Sequence, residues 1–143
     1  MTDQSFPKQL RLRSRTDFRQ VYERRCSVAD GMLRLVGRLN ERDFSRIGLS
    51  VSREVGGAVV RNRWKRLLRE AFRLSRDRLP VGLDFIAIPR AVAEPELKIL
   101  ANSLDNLSWR LWKRLKRDES AARRNEQEER SHAKARRRRE EGD

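Results

Sequence analysis

The sequence predicts an α+β fold in which helices pack on one small sheet. Three observations carry this expectation. Apolar residues recur with a helical period over residues 64–75 and 97–115. They alternate with the period of a strand over residues 32–39 and 47–51. The two kinds of segment interleave in the order α, strands, α, strand, α.

Taken in order, Thr16 is placed to cap a short helix with Asp17 in its first turn, and Phe18, Val21 and Tyr22 fall on one face at i, i+3 and i+4. From Met32 to Leu39, Leu33, Leu35 and Leu39 point one way and Arg34 and Arg38 the other, as in a half-buried strand. Asn40 to Ser45 reads as a polar turn. Ile47, Leu49 and Val51 then alternate with Gly48, Ser50 and Ser52 in a second strand, which Gly56 and Gly57 end. Trp64, Leu67, Leu68, Ala71, Phe72 and Ser75 follow the helical rule and mark the strongest helix. Pro80 and Gly82 close it, and the apolar run Leu83 to Ile88, bounded by Pro89, reads as a buried strand. Pro95 suits the first turn of a last helix, whose stripe is Leu97, Leu100, Leu104, Leu107, Leu111 and Leu115. No internal repeat is present.

A chain of 143 residues fits one compact domain with a remainder. Its 35 Lys and Arg against 21 Asp and Glu give a formal charge of +14, a field that attracts polyanions. Nucleic acid is the first candidate partner and an anionic membrane the second. The sequence offers neither an apolar stretch of about 18 residues nor an apolar segment after Met1, so a cytoplasmic protein without a membrane partner is expected. Cys26 is the only cysteine, which excludes an intrachain disulfide and a cysteine-based zinc site. Residues 118–143 lose the apolar rhythm and hold eight basic and eight acidic side chains, so the excess charge lies in residues 1–117. This tail reads as a solvated extension, disordered or partly helical, with auxiliary RNA contact as the other reading. The Arg136–Arg139 run is offset by Glu140, Glu141 and Asp143.

Within the strongest helix, Arg61, Lys65, Arg69 and Arg73 succeed one another at i+4, with Asn62 and Arg66 beside them and Arg63 off the main basic face. Like charges so spaced repel in an isolated helix by a few tenths of a kcal/mol per pair, and a polyanion relieves that repulsion. Only Glu70 interrupts the series. Nucleic-acid contact is the reading this supports, against an ordinary solvated helix.

The segment Arg46-Ile47-Gly48-Leu49-Ser50-Val51-Ser52, then Val55, Gly56, Ala58 and Val59, then Arg61-Asn62-Arg63, Lys65-Arg66, Leu68-Arg69 and Ala71-Phe72-Arg73, resembles the signature of the bacterial ribonuclease P protein subunit. The resemblance runs from Phe6-Pro7-Lys8 and Leu10-Arg11 to the Trp-bearing final helix, roughly residues 6–117, and so implies a ribonuclease P protein domain over 1–117 with the charged tail beyond it.

The family fold so implied is a two-layer α-β sandwich of order αβββαβα with a four-stranded sheet. It carries an unusual left-handed βαβ crossover, where general rules would give a right-handed one. The resemblance assigns Arg61, Asn62, Arg63, Lys65, Arg66, Arg69 and Arg73 to contact with a catalytic RNA. It places Phe18, Tyr22, Ser50, Ser52 and Arg53 in a cleft for the single-stranded 5′ leader of precursor tRNA. Core packing is the competing role for Phe18 and Tyr22. Three departures stand out: Glu54 replaces a cleft lysine, Trp64 an aliphatic residue, and Val36 an aromatic found in some members.

His132 is the only histidine and no carboxylate cluster is spaced for a metal in the folded part, so no catalytic residue is assigned to the chain itself. The resemblance implies that the RNA carries out the hydrolysis with Mg2+ held mainly by that RNA, and that no obligate protein partner is needed. A non-enzymatic ribosomal or DNA-architectural binder is the alternative that composition leaves open.

Overall fold

The computed structural model describes residues 7–90 and 94–141. Phe6, from the N-terminal motif, and Asp143, from the charged tail, lie outside them. A single turn at Lys8–Leu10 precedes α1 (Arg15–Arg24), β1 (Ser27–Ala29), β2 (Leu33–Leu39) and β3 (Arg46–Leu49). A second turn at Arg53–Val55 leads into α2 (Ala58–Ser75), a third at Arg76–Arg78 leads to β4 (Leu83–Pro89), and α3 (Leu97–Glu141) follows. The sheet order is β1-β2-β4-β3. β2 is antiparallel to both neighbours and β3 is parallel to β4, so α2 is the crossover of the parallel pair.

The N-terminal cap of α1 differs from the expectation. Ser14 caps it, its Oγ accepting from the Asp17 N–H at 3.0 Å, and Thr16 lies inside the first turn. Ser14 wins because its backbone is extended, with ψ of 153°, as a cap requires. Pro95 likewise stands just outside α3, which opens with the Leu100 N–H donating to the Glu96 carbonyl at 2.9 Å.

One face of the sheet, with Leu33, Leu35, Leu83, Phe85 and Ala87, packs against Trp64, Leu68 and Phe72 of α2 and the leucine stripe of α3. Each fully buried leucine contributes on the order of 1.5–3 kcal/mol. On the opposite face Val36 and Ile86 meet Val21 of α1 and Leu12, with Phe18 and Ile88 at the margin. Both faces of β2 are therefore covered, and Val36 is buried under α1 rather than open to a cleft.

β4 is not uniformly apolar. Asp84 is fully buried and accepts from Arg46 Nε at 2.9 Å and Nη2 at 2.6 Å, from Asn40 Nδ2 at 2.8 Å and from Arg38 Nη2 at 3.3 Å. Burial alone would raise its pKa, but the Arg46 and Asn40 hydrogen bonds and the Arg46 and Arg38 charges outweigh it and hold the carboxyl below its ordinary value.

The charged tail continues α3 as helix to Glu141, exposed at every position after Ala121. Residues 97–141 contain neither Gly nor Pro and are rich in Ala, Arg, Glu and Lys, so loss of the apolar rhythm removed packing but not helical propensity. Asp118 reaches back to Arg24 at 3.4 Å where the helix leaves the body.

Candidate nucleic-acid interface

The buried stripe of α2, namely Trp64, Leu68, Ala71, Phe72 and Ser75, decides which basic side chains remain outside. Asn62, Arg63, Arg66 and Arg69 are exposed, whereas Arg61 and Lys65 are half-buried at the margin of the stripe. Arg73 differs from the rest: its guanidinium pairs with Glu70 on the same helix, and that bond is the main cause of its raised pKa. Glu70 thus neutralises the last basic position, leaving the N-terminal two-thirds of α2 as the open cationic surface.

A groove of about 350 Å³ runs between α1, β3 and α2, lined by Arg11, Leu12, Arg13, Phe18, Ile47, Leu49, Lys65 and Arg69. It brings Phe18 together with Lys65 and Arg69, residues drawn from two helices far apart in sequence. Gly48 makes this possible, because a Cβ there would lie 2.8 Å from Phe18 Cζ and 3.1 Å from Leu12 Cβ. Phe18 is half-buried, packed at the margin of the α1 core and also lining the groove.

Tyr22, one turn further along α1, is 43% exposed and stands outside the groove lining. Ser50 is half-buried and donates its N–H to the Ala87 carbonyl at 3.1 Å, beyond the end of β3. Ser52 and Arg53 are exposed in the following turn, next to the exposed Glu54.

Arg11 and Arg13 were not singled out as RNA contacts from the sequence. Their signal is the alternation Leu10-Arg11-Leu12-Arg13, in which both leucines are buried. The Leu12 N–H donates to the Ile47 carbonyl at 2.9 Å and pairs this segment with the outer edge of β3. Burial, then the neighbouring charges of Arg69 and Arg13, lower the pKa of Arg11. Like charges are thus held close together around an aromatic ring, an arrangement suited to phosphates flanking an unpaired base.

Among the described residues, no group of three or more His, Cys, Asp or Glu side chains could hold a metal ion, and no helix is long and apolar enough to cross a membrane.

The family model described as Ribonuclease P matches residues 6–116. The ribonuclease P protein component of Clostridium kluyveri is 39% identical over 100 residues, covering 68% of this chain and 89% of the relative. That of Serratia proteamaculans is 37% identical over 112 residues, covering 77% and 92%. Among solved structures, the ribonuclease P protein of Thermotoga maritima superposes with a TM-score of 0.64 at 33% identity, over 70% of this chain and 96% of that one. The Staphylococcus aureus protein gives a TM-score of 0.60 at 33% identity, over 68% and 91%. The same mixed fold, with a four-stranded sheet and three helices, is thus found in these proteins, and the match to the family model ends before the charged arm. On sequence and on fold together, this chain belongs to the ribonuclease P protein family.

Proposed function

We propose that the chain is the protein subunit of a bacterial ribonuclease P ribonucleoprotein, working in the cytoplasm, where it binds the catalytic RNA through α2 and the 5′ leader of precursor tRNA through the groove beside it. The convergence of Phe18 with Lys65 and Arg69 in one groove is the observation that carries this reading. An aromatic face stacks an unpaired base with little sequence preference at ~1–3 kcal/mol per base, and the flanking cations take the phosphates. Arg66, Asn62 and Arg63 on the open side of the helix remain for the RNA partner.

The chemistry in this reading belongs to the RNA. Water attacks the phosphodiester, the 3′-oxygen of the leader departs, and the mature tRNA keeps the 5′-phosphate. Mg2+, held mainly by the RNA, supplies the charge stabilisation for that step. The chain's own residues act by differential binding: only the precursor has a leader, so contacts in the groove favour substrate over product.

Binding of precursor and mature tRNA by the assembled ribonucleoprotein tests this directly. The precursor should bind more tightly, and Phe18→Ala should narrow the difference; equal binding of both tRNAs by the parent overturns the leader assignment. Replacing Arg61, Arg63 and Arg66 by Ala should weaken assembly with the RNA and reduce the slope of log K against log salt by about 2–3, since each phosphate contact contributes up to ~0.9. Cleavage of precursor tRNA by the protein without RNA would contradict the assignment of catalysis.

A further inference from the structure

Residues 118–143 have no net charge, with eight basic and eight acidic side chains, but between Ser120 and Arg139 the helix gathers six of the eight basic ones on one face. At about 100° per residue, Arg123, Arg124, Arg130, Lys134, Arg137 and Arg138 fall within one sector about 140° wide, together with Gln127. From Ser120 to Arg139 no acidic residue enters that sector; Glu126, Glu128 and Glu129 lie outside it, as do Arg136 and Arg139, and Glu141 at the end of the helix falls back within it. Glu119, just before it, is tied to Arg123 by an ion pair.

All of these arginines and the lysine are exposed, and the arm offers no apolar stripe on which a protein core could close. Arg130, Lys134 and Arg138 repeat at i+4, the same self-repelling spacing as in α2. From Arg123 to Arg138 the face extends about 22 Å at 1.5 Å per residue, long enough to meet several successive phosphates. The match to the family model stops at residue 116, so the arm is an element of this chain beyond the matched region.

We propose that the distal part of α3 is a second RNA-binding element, which lays its Arg123–Arg138 face along the phosphate backbone of the RNA that α2 engages. The proposal rests on the RNA partnership argued above and adds to it a surface independent of the groove. Net neutrality then has a use: acids on the far side limit non-specific attraction, while the sorted face recognises a backbone presented along its length.

The test uses the full chain, the catalytic RNA and a salt titration of their binding. The variant R130Q/K134Q/R137Q/R138Q should lower the slope of log K against log salt by about 2–4. The rearranged variant E126R/R130E/E129K/K134E, which keeps composition and net charge but breaks the face, should lower it as well, whereas R130K/R137K/R138K should keep it. Far-UV circular dichroism checks helicity, and because Gln is a good helix former the first variant decides the matter if the rearranged chain loses helix. A parental slope in the Gln variant, or in a helical rearranged variant, overturns the proposal whatever else the arm binds. Failure of the wider RNA reading is distinguishable, because the Arg61, Arg63 and Arg66 variant would then keep the parental slope too.

Discussion

Gly48 and Asp84 show how single positions shape the interface from beneath it. A Cβ at Gly48 would fall 2.8 Å from Phe18 Cζ, so Gly48→Ala should displace the ring and destabilise the fold by about 1–3 kcal/mol, as overpacking does. Denaturant unfolding measures the loss, and weakened precursor binding beyond that of mature tRNA would accompany it. Asp84 ties β4 to Arg46 of β3 and Arg38 of β2. Asp84→Asn leaves Arg46 with only the more distant carboxylate of Asp17, at 3.7 Å, and should cost about 3 kcal/mol in unfolding free energy. The pH dependence follows from the depressed pKa of Asp84. Its contribution is complete above the unfolded value of about 3.9 and declines as pH falls through the lower folded value. The parent should therefore lose stability below about pH 4 more steeply than the Asn variant, as urea titrations across that range would report.

At the level of elements, α2 has a buried apolar face and an exposed basic one. Trp64 is 1% exposed, so Trp64→Ala should cost about 3–5 kcal/mol of stability while the salt dependence of RNA binding by the folded fraction stays parental. The Arg63 and Arg66 side should show the reverse, a reduced slope at unchanged stability. The leucine stripe of α3 and the period of α2 were readable from spacing because each repeats over several turns. β1 was not readable in that way, since Ser27–Ala29 spans three residues and cannot display an alternation. Asp84 was passed over within an apolar run because its partners, Arg46 and Arg38, come from other strands. The groove was legible only in pieces: Phe18, Lys65 and Arg69 were each picked out, but their meeting depends on α1 and α2 lying on opposite faces and reaching the same edge. Arg11 and Arg13 carried the alternation of a strand but were too few to stand out in so basic a chain.

Across the whole molecule, the charged arm and the packed body are nearly independent. The Arg24–Asp118 pair is solvent-exposed on both sides, and such pairs contribute about 0–1 kcal/mol. Ending the chain after Arg117 should therefore leave the denaturant midpoint of the body almost unchanged while removing whatever RNA affinity the arm supplies. A large fall in the midpoint would show that the arm supports the fold. The chain's +14 charge lies within residues 1–117, so the body retains its long-range attraction for RNA even without the arm.

The pairing of Leu12 with Ile47 has a further consequence, for solubility. A sheet that ended at β3 would present open N–H and C=O groups to other molecules, a template for edge-to-edge aggregation. The segment through Arg11 and Leu12 covers part of that edge and studs it with cations, which discourage a second strand from adding. On the far side, β1 is only three residues long. Deleting residues 8–13 should thus release oligomers visible by light scattering at low salt, where the intact chain stays dispersed, so the same arginines that line the groove also keep the free protein from joining its own copies before RNA arrives.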